Sequence, residues 1–561
     1  VRFSKTFLIY RTKGKRPIRI GRHFSTIGLI VGTAFFALSL TPSLVPRGET
    51  VQGVVSGLSM AAGYALGVLA WWLWRYFELP FPPVRWQRMV KLVVAVLCGL
   101  LAISFLLQAS EWQNTVRTLM GMEKVEGVRA LWVGLVAGLV FLVALGLGKL
   151  FVALWNFFSR HLRRVVPHRV SVVTGLLLSF SLFWAVVDGV LFATLLEKVD
   201  YSYQQVDALM DAEQPKLQTV QRAGGPDSLI PWKTLGRQGR RYLANGPTAT
   251  DISEFTSVPT QTPLRVYAGL NSADTPQARA ELALAELERV GGFERSTLVL
   301  IVPTGTGWID PSGVETMEYL LKGDVASVAA QYSYLPSPIS VMVDGDYAVE
   351  NTRALFQAIY GHWRELPEAD RPALYLFGLS LGAMNLDRSF DFFDIIDAPF
   401  DGALWVGPPF RMDTWREATQ RRRPDSPQWL PRFRDDSVIR FANQSGGLDQ
   451  GLAPWGDFRI AFLQYASDPI TFFSTDSFYQ KPDWMHAPRG LDVSSELRWV
   501  PIITMLQLAA DMAVGKASPG YGHEYAAEHY FDAWLALTEP EGWSESELAR
   551  LRDHFREMRR P

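Results

Sequence analysis

The stretch Ala373-Leu374-Tyr375-Leu376-Phe377-Gly378-Leu379-Ser380-Leu381-Gly382-Ala383-Met384 decides how this chain is read. An apolar run, Ala373 to Phe377, has the length and composition of a short strand buried on both faces. It continues into Gly-x-Ser-x-Gly and then into residues that favour a helix. A strand that bends sharply into a helix at a serine needs small flanking residues, here Gly378 and Gly382. Such a bend lifts the serine hydroxyl above the sheet and turns the N–H of the next residue, Leu381, toward the same point.

Outward from this stretch the pattern alternates. Leu264 to Ala268 reads as a strand, Thr275 to Val290 as a helix, Thr297 to Val302 and Val325 to Tyr334 as strands, and Val349 to Leu366 as a helix. Ala403 to Val406 and Arg459 to Tyr465 are further strand candidates. Alternation of this kind predicts a mostly parallel sheet with helices on both faces, and ligands in such sheets sit outside the carboxyl ends of the strands.

The first 200 residues read differently. Phe24 to Pro46, Val51 to Trp74, Leu92 to Ser110 and Ala130 to Gly148 carry no charge, and Val170 to Leu196 is interrupted only by Asp188. About 20 apolar residues cross a hydrocarbon core, so five transmembrane spans are expected. The first run is too long for the apolar region of a cleaved signal peptide and is read as retained. Eight Lys and Arg precede it. Arg75, Arg85, Arg88 and Lys91 follow the second span, and Arg160, Arg163, Arg164 and Arg169 follow the fourth, while the other loops are poor in basic residues or balanced. The basic excess on alternate loops predicts a cytoplasmic N-terminus and an extracytoplasmic C-terminal half. The solitary Cys98 forms no disulfide within the chain and suits that placement. Lys149 is expected to snorkel, Asp188 to make a helix contact, and Gly63/Gly67 and Gly134/Gly138 to mark close helix packing, with self-association through these helices left open.

The domain plan is therefore a multi-pass membrane part (1–199), a polar connector that packs on the soluble domain (200–262), and an α/β domain (263–561) with an insert at about 411–455. Over all 561 residues, 55 Lys and Arg against 56 Asp and Glu give a formal net charge of −1. That balance lacks the basic surplus of a nucleic-acid binder. Hydrophobic residues at 48% and charged residues at 20% exclude global disorder.

A serine hydroxyl is a weak nucleophile without a base, and the base needs an orienting acid. In an elbow of this kind the chain order is Ser, acid, His. Asp468, in Ala466-Ser467-Asp468-Pro469, follows the strand Arg459 to Tyr465 and is the leading acid; Asp449, Asp476 and Asp483 are rivals. His523, in the loop Pro519-Gly520-Tyr521-Gly522-His523-Glu524, leads as base over His486, while His529 and His554 read as solvated helix residues. A second oxyanion donor is expected from the loop after Val302, Pro303-Thr304-Gly305-Thr306-Gly307-Trp308, at Thr304 or Gly305, beside Leu381. No Gly-Lys-Ser/Thr follows that loop, which argues against a phosphate site. His523-Glu524 with His529 departs from the H-E-x-x-H spacing, so no metal and no cofactor is expected. The insert holds Arg421-Arg422-Arg423 with Trp415, Trp429 and Trp455, the composition of a lid over an acyl site or of a patch that meets anionic head groups.

Taken together, Leu40-Thr41-Pro42-Ser43-Leu44-Val45-Pro46-Arg47, Thr304 to Trp308, Gly378 to Gly382, Ser467-Asp468-Pro469 and Gly522-His523 make the chain resemble the bacterial membrane-bound α/β-hydrolase family. Its members pair an N-terminal multi-pass domain with a C-terminal hydrolase domain. The resemblance spans nearly the whole chain and implies the α/β-hydrolase fold, a serine-hydrolase activity and the triad Ser380, Asp468 and His523; it supplies no substrate. Two departures from the general hydrolase plan stand out: no opening antiparallel hairpin, and a helix-like Leu497 to Val514 where a last strand would precede His523. The expected activity is cleavage of acyl esters, those of lipids first, because the site lies beside the bilayer of a cell (inner) membrane. Transfer of the acyl group to a lipid or sugar hydroxyl, and a non-catalytic membrane scaffold, are the alternatives. A transporter is disfavoured by the lack of charged ladders in the spans.

Overall fold

The computed structural model of the protein describes residues 24–80, 84–127, 129–186, 205–207, 217, 219–256, 258–336, 345–514 and 517–558. The apolar runs of the second half become seven strands: Leu264–Ala268 (β1), Thr297–Val302 (β2), Val325–Ala330 (β3), Ala373–Leu379 (β4), Gly402–Val406 (β5), Ile439–Ala442 (β6) and Arg459–Leu463 (β7). They form one sheet in the order β1-β3-β2-β4-β5-β7-β6. Every neighbouring pair is parallel. The sheet opens without a hairpin, because β1 pairs with β3. β4 lies at its centre, between β2 and β5.

The strand composition follows from burial on both sides. Tyr375 and Phe377 point to one face, where their rings meet Trp534, and Phe377 also meets Tyr530. Leu374 and Leu376 are out of phase by one residue and serve the other face, with no exposure. Burying each such side chain contributes about 1.5–3 kcal/mol. Helices Pro311–Leu320 and Ala527–Thr538 pack together, the second of them over β5 and β7, and helices Pro276–Arg289 and Gly345–Glu365 pack together over β1 to β3. Thr275 caps the first helix of the latter pair through its side chain, with proline in the first turn.

The connector contributes helices Gly236–Ala244 and Ala249–Thr256. It rests on the β1 edge: Arg222 bridges Arg265 in parallel, and Tyr242 Oη lies 2.5 Å from Ser327 Oγ. The expected insert is partly woven into the sheet, since its Ile439–Ala442 is the edge strand β6. Four residues next to several arginines and glycines carry too short a pattern to stand out as a strand.

Five helices precede the connector: Thr26–Leu38 (α1), Glu49–Tyr76 (α2), Val84–Leu119 (α3), Ala130–Leu162 (α4) and His168–Trp184 (α5). Three, α2, α3 and α4, are long and apolar enough to cross a membrane. Of the five expected spans, three stand as candidates among the described residues, and the fifth, Val170 to Leu196, continues past them. α1 has 13 residues and reaches about 20 Å, short of a core about 30 Å thick. Its uncharged run continues to Pro46, but the chain leaves the helix after Leu38 and the remainder takes another course. α5 has 17 residues, and Asp188 lies outside the described residues, as does the basic run before Phe24. Gly63 and Gly67 pack against α1, where a Cβ on Gly67 would come 2.6 Å from Ile27 O. Gly134 and Gly138 face open space.

Candidate active site

Ser380 stands between β4 and the helix Leu381–Asp387 with φ 55° and ψ −121°. A non-glycine residue held there costs about 1–3 kcal/mol. The neighbours impose it: Ser380 N–H donates to Val406 O of β5 at 2.8 Å, and Met384 N–H donates back to Ser380 O at 3.2 Å. The two glycines are required by contact. A Cβ on Gly378 would lie 2.4 Å from Ala383 N, and one on Gly382 would lie 2.1 Å from Val302 O. The elbow is thereby pressed against the end of β2 and the loop after it.

That loop closes on itself. Thr304 N–H donates to Trp308 O at 2.9 Å, and Gly307 N–H donates to Thr304 O at 2.8 Å. Of the two amides expected as oxyanion donors, Thr304's is engaged by Trp308. Gly305's has no backbone acceptor among the described residues.

Asp468 follows β7 and is fully buried. Its Oδ1 caps the helix Pro469–Phe472 by accepting Ile470 N–H at 2.8 Å. Its Oδ2 accepts from His523 Nδ1 at 2.8 Å, from Tyr525 Oη at 2.8 Å and from Thr471 Oγ1 at 3.3 Å. A carboxylate partner on Nδ1 places the proton there and leaves Nε2 as the acceptor nitrogen. The His523 ring lies over Gly407, where a Cβ would come 2.6 Å from its Cε1. Gly407 directly follows Val406, the residue that holds the Ser380 amide. Burial pulls the imidazole pKa down, but the charge and the hydrogen bond of Asp468 outweigh it, and the net shift is upward.

The rival residues are elsewhere engaged or exposed. Asp449, Asp476, Asp483 and His486 are exposed. His529 lies in the helix Ala527–Thr538 and is hydrogen-bonded to Tyr465 Oη at 2.5 Å, and burial pulls its pKa down. His554 packs on Phe255 and Tyr319. Both are helical, as expected, but each is spent on a packing contact rather than on solvent. Tyr525 is a site residue that the motifs do not point to. It follows directly on the tight turn Tyr521–Glu524 that carries His523, closed by Glu524 N–H donating to Tyr521 O at 3.1 Å, and no local sequence pattern marks it.

The arginine run of the insert is not a free cationic patch. Arg421 pairs with Glu417 at 2.8 Å, Arg422 with Asp483 at 3.3 Å and Arg423 with Asp425 at 2.7 Å. Its tryptophans are tied down as well, Trp415 Nε1 to Gln464 and Trp429 Nε1 to Pro488 O. A cleft of about 570 Å³ separates helix Asp413–Gln420 from the segment after Asp468, with Trp415, Arg416, Thr471 and Trp484 in its walls.

Comparison with known families gives two matches: a model described as the alpha/beta-hydrolase family covers residues 264–551, and one described as the N-terminus of that family covers residues 40–247. No curated protein and no solved structure matches the chain.

Proposed function

Because the chain belongs to the alpha/beta-hydrolase family, we propose that it is a membrane-anchored serine hydrolase that cleaves acyl esters, those of lipids first, through Ser380, His523 and Asp468. The observation that carries this reading is the 2.8 Å contact of His523 Nδ1 with buried Asp468, made by a ring that lies over the residue after Val406. Ser380 Oγ attacks the acyl carbonyl while His523 Nε2 takes its proton. Asp468 holds the imidazole in the tautomer that can accept, and stabilises the imidazolium that forms. The oxyanion is met by the N–H groups of Leu381 and Gly305. The imidazolium returns its proton to the departing alcohol, and water, activated by the same nitrogen, releases the acid from the acyl-enzyme.

The charge distribution supports an extracytoplasmic site. Helix Ile503–Val514 packs on α2, its Gln507 and Gln52 of the first turn of α2 both donating to Ser39 O, and Arg129 N–H at the start of α4 donates to Glu49 at 2.9 Å. The soluble half therefore stands at the α2 and α4 ends that lack a basic excess. Arg75 closes α2 and Arg160 lies in the last turn of α4, at the far ends. The positive-inside rule puts those far ends in the cytoplasm.

A fluorophosphonate probe tests the reading. Wild type should label at one serine and Ser380→Ala should not. An unlabelled wild type, or labelling untouched by Ser380→Ala, removes the enzyme from consideration and leaves a scaffold. Product analysis with and without an added alcohol separates hydrolysis from acyl transfer.

A further inference from the structure

The uncharged run that overshoots α1 has a destination. Between Leu38 and Glu49 the chain is not helical, yet Leu40, Ser43, Leu44 and Val45 are each no more than 3% exposed. A connecting segment is normally a surface feature, because buried backbone must find partners. Here the partners come from one face of helix Ile503–Val514 in the soluble half. Gln507 Nε2 donates to Ser39 O at 3.2 Å and to Thr41 O at 3.0 Å. Four residues on, Asp511 accepts from Leu44 N–H at 3.1 Å and from Ser43 Oγ, and it faces Arg47 Nε at 3.2 Å. Leu44 and Val45 share one apolar cluster with the sheet.

The same strap touches the loop of the base. A Cβ on Gly522, which has φ 57°, would come 3.1 Å from Val45 Cγ1 and 2.9 Å from the Ala517 Cβ. On its other side Gly522 N–H donates to Ser467 Oγ at 2.8 Å, and Ser467 Oγ donates to Asp492 at 2.6 Å. Gly522 is thus held between the residue that precedes the acid and a side chain from the membrane half, directly before His523.

We propose that the strap Ser39–Arg47 is a positioning element for His523, with Val45 as the contact residue. The hydrolase site is then complete only with the membrane half docked, which gives the helices a role beyond anchoring. The inference rests on the serine-hydrolase reading above. A misplacement of about 1 Å in a catalytic group can cost on the order of a hundredfold in rate.

The test uses the full-length protein in detergent micelles and a short-chain p-nitrophenyl ester. Val45→Ala should lower kcat by about tenfold to a hundredfold with KM unchanged, and slow fluorophosphonate labelling in proportion. Val45→Thr, which keeps the branched shape, should recover most of the rate. Gln507→Leu frees the strap carbonyls without emptying the apolar contact. It should lower kcat in the same sense and serves if Val45→Ala is unfolded at the assay temperature. Folded variants that turn over and label at the wild-type rate overturn the positioning role while leaving Ser380 as nucleophile. So does a loss that follows the thermal midpoint and is not recovered by Val45→Thr. A wild type that fails to label removes the underlying reading instead, and the positioning role with it.

Discussion

The nucleophile and the base of the proposed site are held in opposite ways. Ser380 is fixed by its own strand, two glycines and one hydrogen bond to the neighbouring strand, all within the centre of the sheet. His523 sits on a loop after a helix, and it is held by Asp468 of β7's end, by Gly407 after β5 and, one residue away, by Val45 of the membrane half. A strained turn can thus be local while a base is assembled from distant parts. The same difference explains why the elbow is spelled out in five residues and the base is not.

The largest expected effects test the elbow. Ser380→Ala should lower esterase turnover by on the order of 10⁵–10⁶-fold with the thermal midpoint little changed, read by initial rates and scanning calorimetry. Retained activity would place the nucleophile elsewhere and break the comparison at its first term. On the base side, Asp468→Asn should cost about 10⁴-fold in kcat, because the imidazole loses the partner that sets its tautomer; equal damage to KM would indicate a different role.

Gly382→Ala sharpens the local side. Its Cβ would meet the carbonyl of Val302, a backbone atom that cannot move far. Destabilisation by about 1–3 kcal/mol is expected, measured by chemical denaturation. A stability equal to wild type would mean that the elbow is not pressed on β2. Tyr525→Phe sharpens the assembled side by removing one donor from Asp468 Oδ2. A hydrogen bond to a charged group is worth about 1.5–3 kcal/mol, and a fall in kcat of about tenfold, with unchanged labelling stoichiometry, is expected.

The smallest effect is on pH. The neutral imidazole is the base, and Asp468 holds the His523 pKa above its ordinary value. Activity should therefore fall, as pH drops, through an apparent pKa above about 6.5, and Tyr525→Phe should leave that limb raised. For stability the sign is reversed. A raised folded-state pKa contributes stability that is fully present below the unfolded-state value and is lost as pH rises through the folded-state value. Activity should climb over the same window in which this stabilising term fades. An acid limb at or below the ordinary histidine range would contradict the ion pair.

Much of the soluble half was legible in the amino-acid order. β1 and β2 fall at the residues read as strands, the bend at Ser380 follows β4, and Asp468 and His523 meet at 2.8 Å. These features have a one-dimensional signature: continuous apolar runs, glycines at a bend, an Asp-Pro after a strand. β6 escaped, since four residues carry too little periodicity. Trp415, Trp429 and the three arginines suggested a lid or head-group patch, but Gln464, Pro488 and Asp483, which engage Trp415, Trp429 and Arg422, lie far away in the chain. Thr304 and Gly305 were equivalent by spelling, and only the closure of the loop on Trp308 separates them.

What the residue order determined by itself was the division into an apolar half and an α/β half, the parallel sheet and the position of the strained serine. Each is a matter of local composition and near-neighbour spacing, which short-range sterics and burial enforce wherever the segment goes. The tertiary structure decided that the uncharged stretch after Leu38 is a buried strap rather than membrane, and that Val45 and Ser467 share the support of Gly522. Those outcomes depend on which distant surface supplies a carboxylate or an amide to a buried group, and no local pattern encodes that choice.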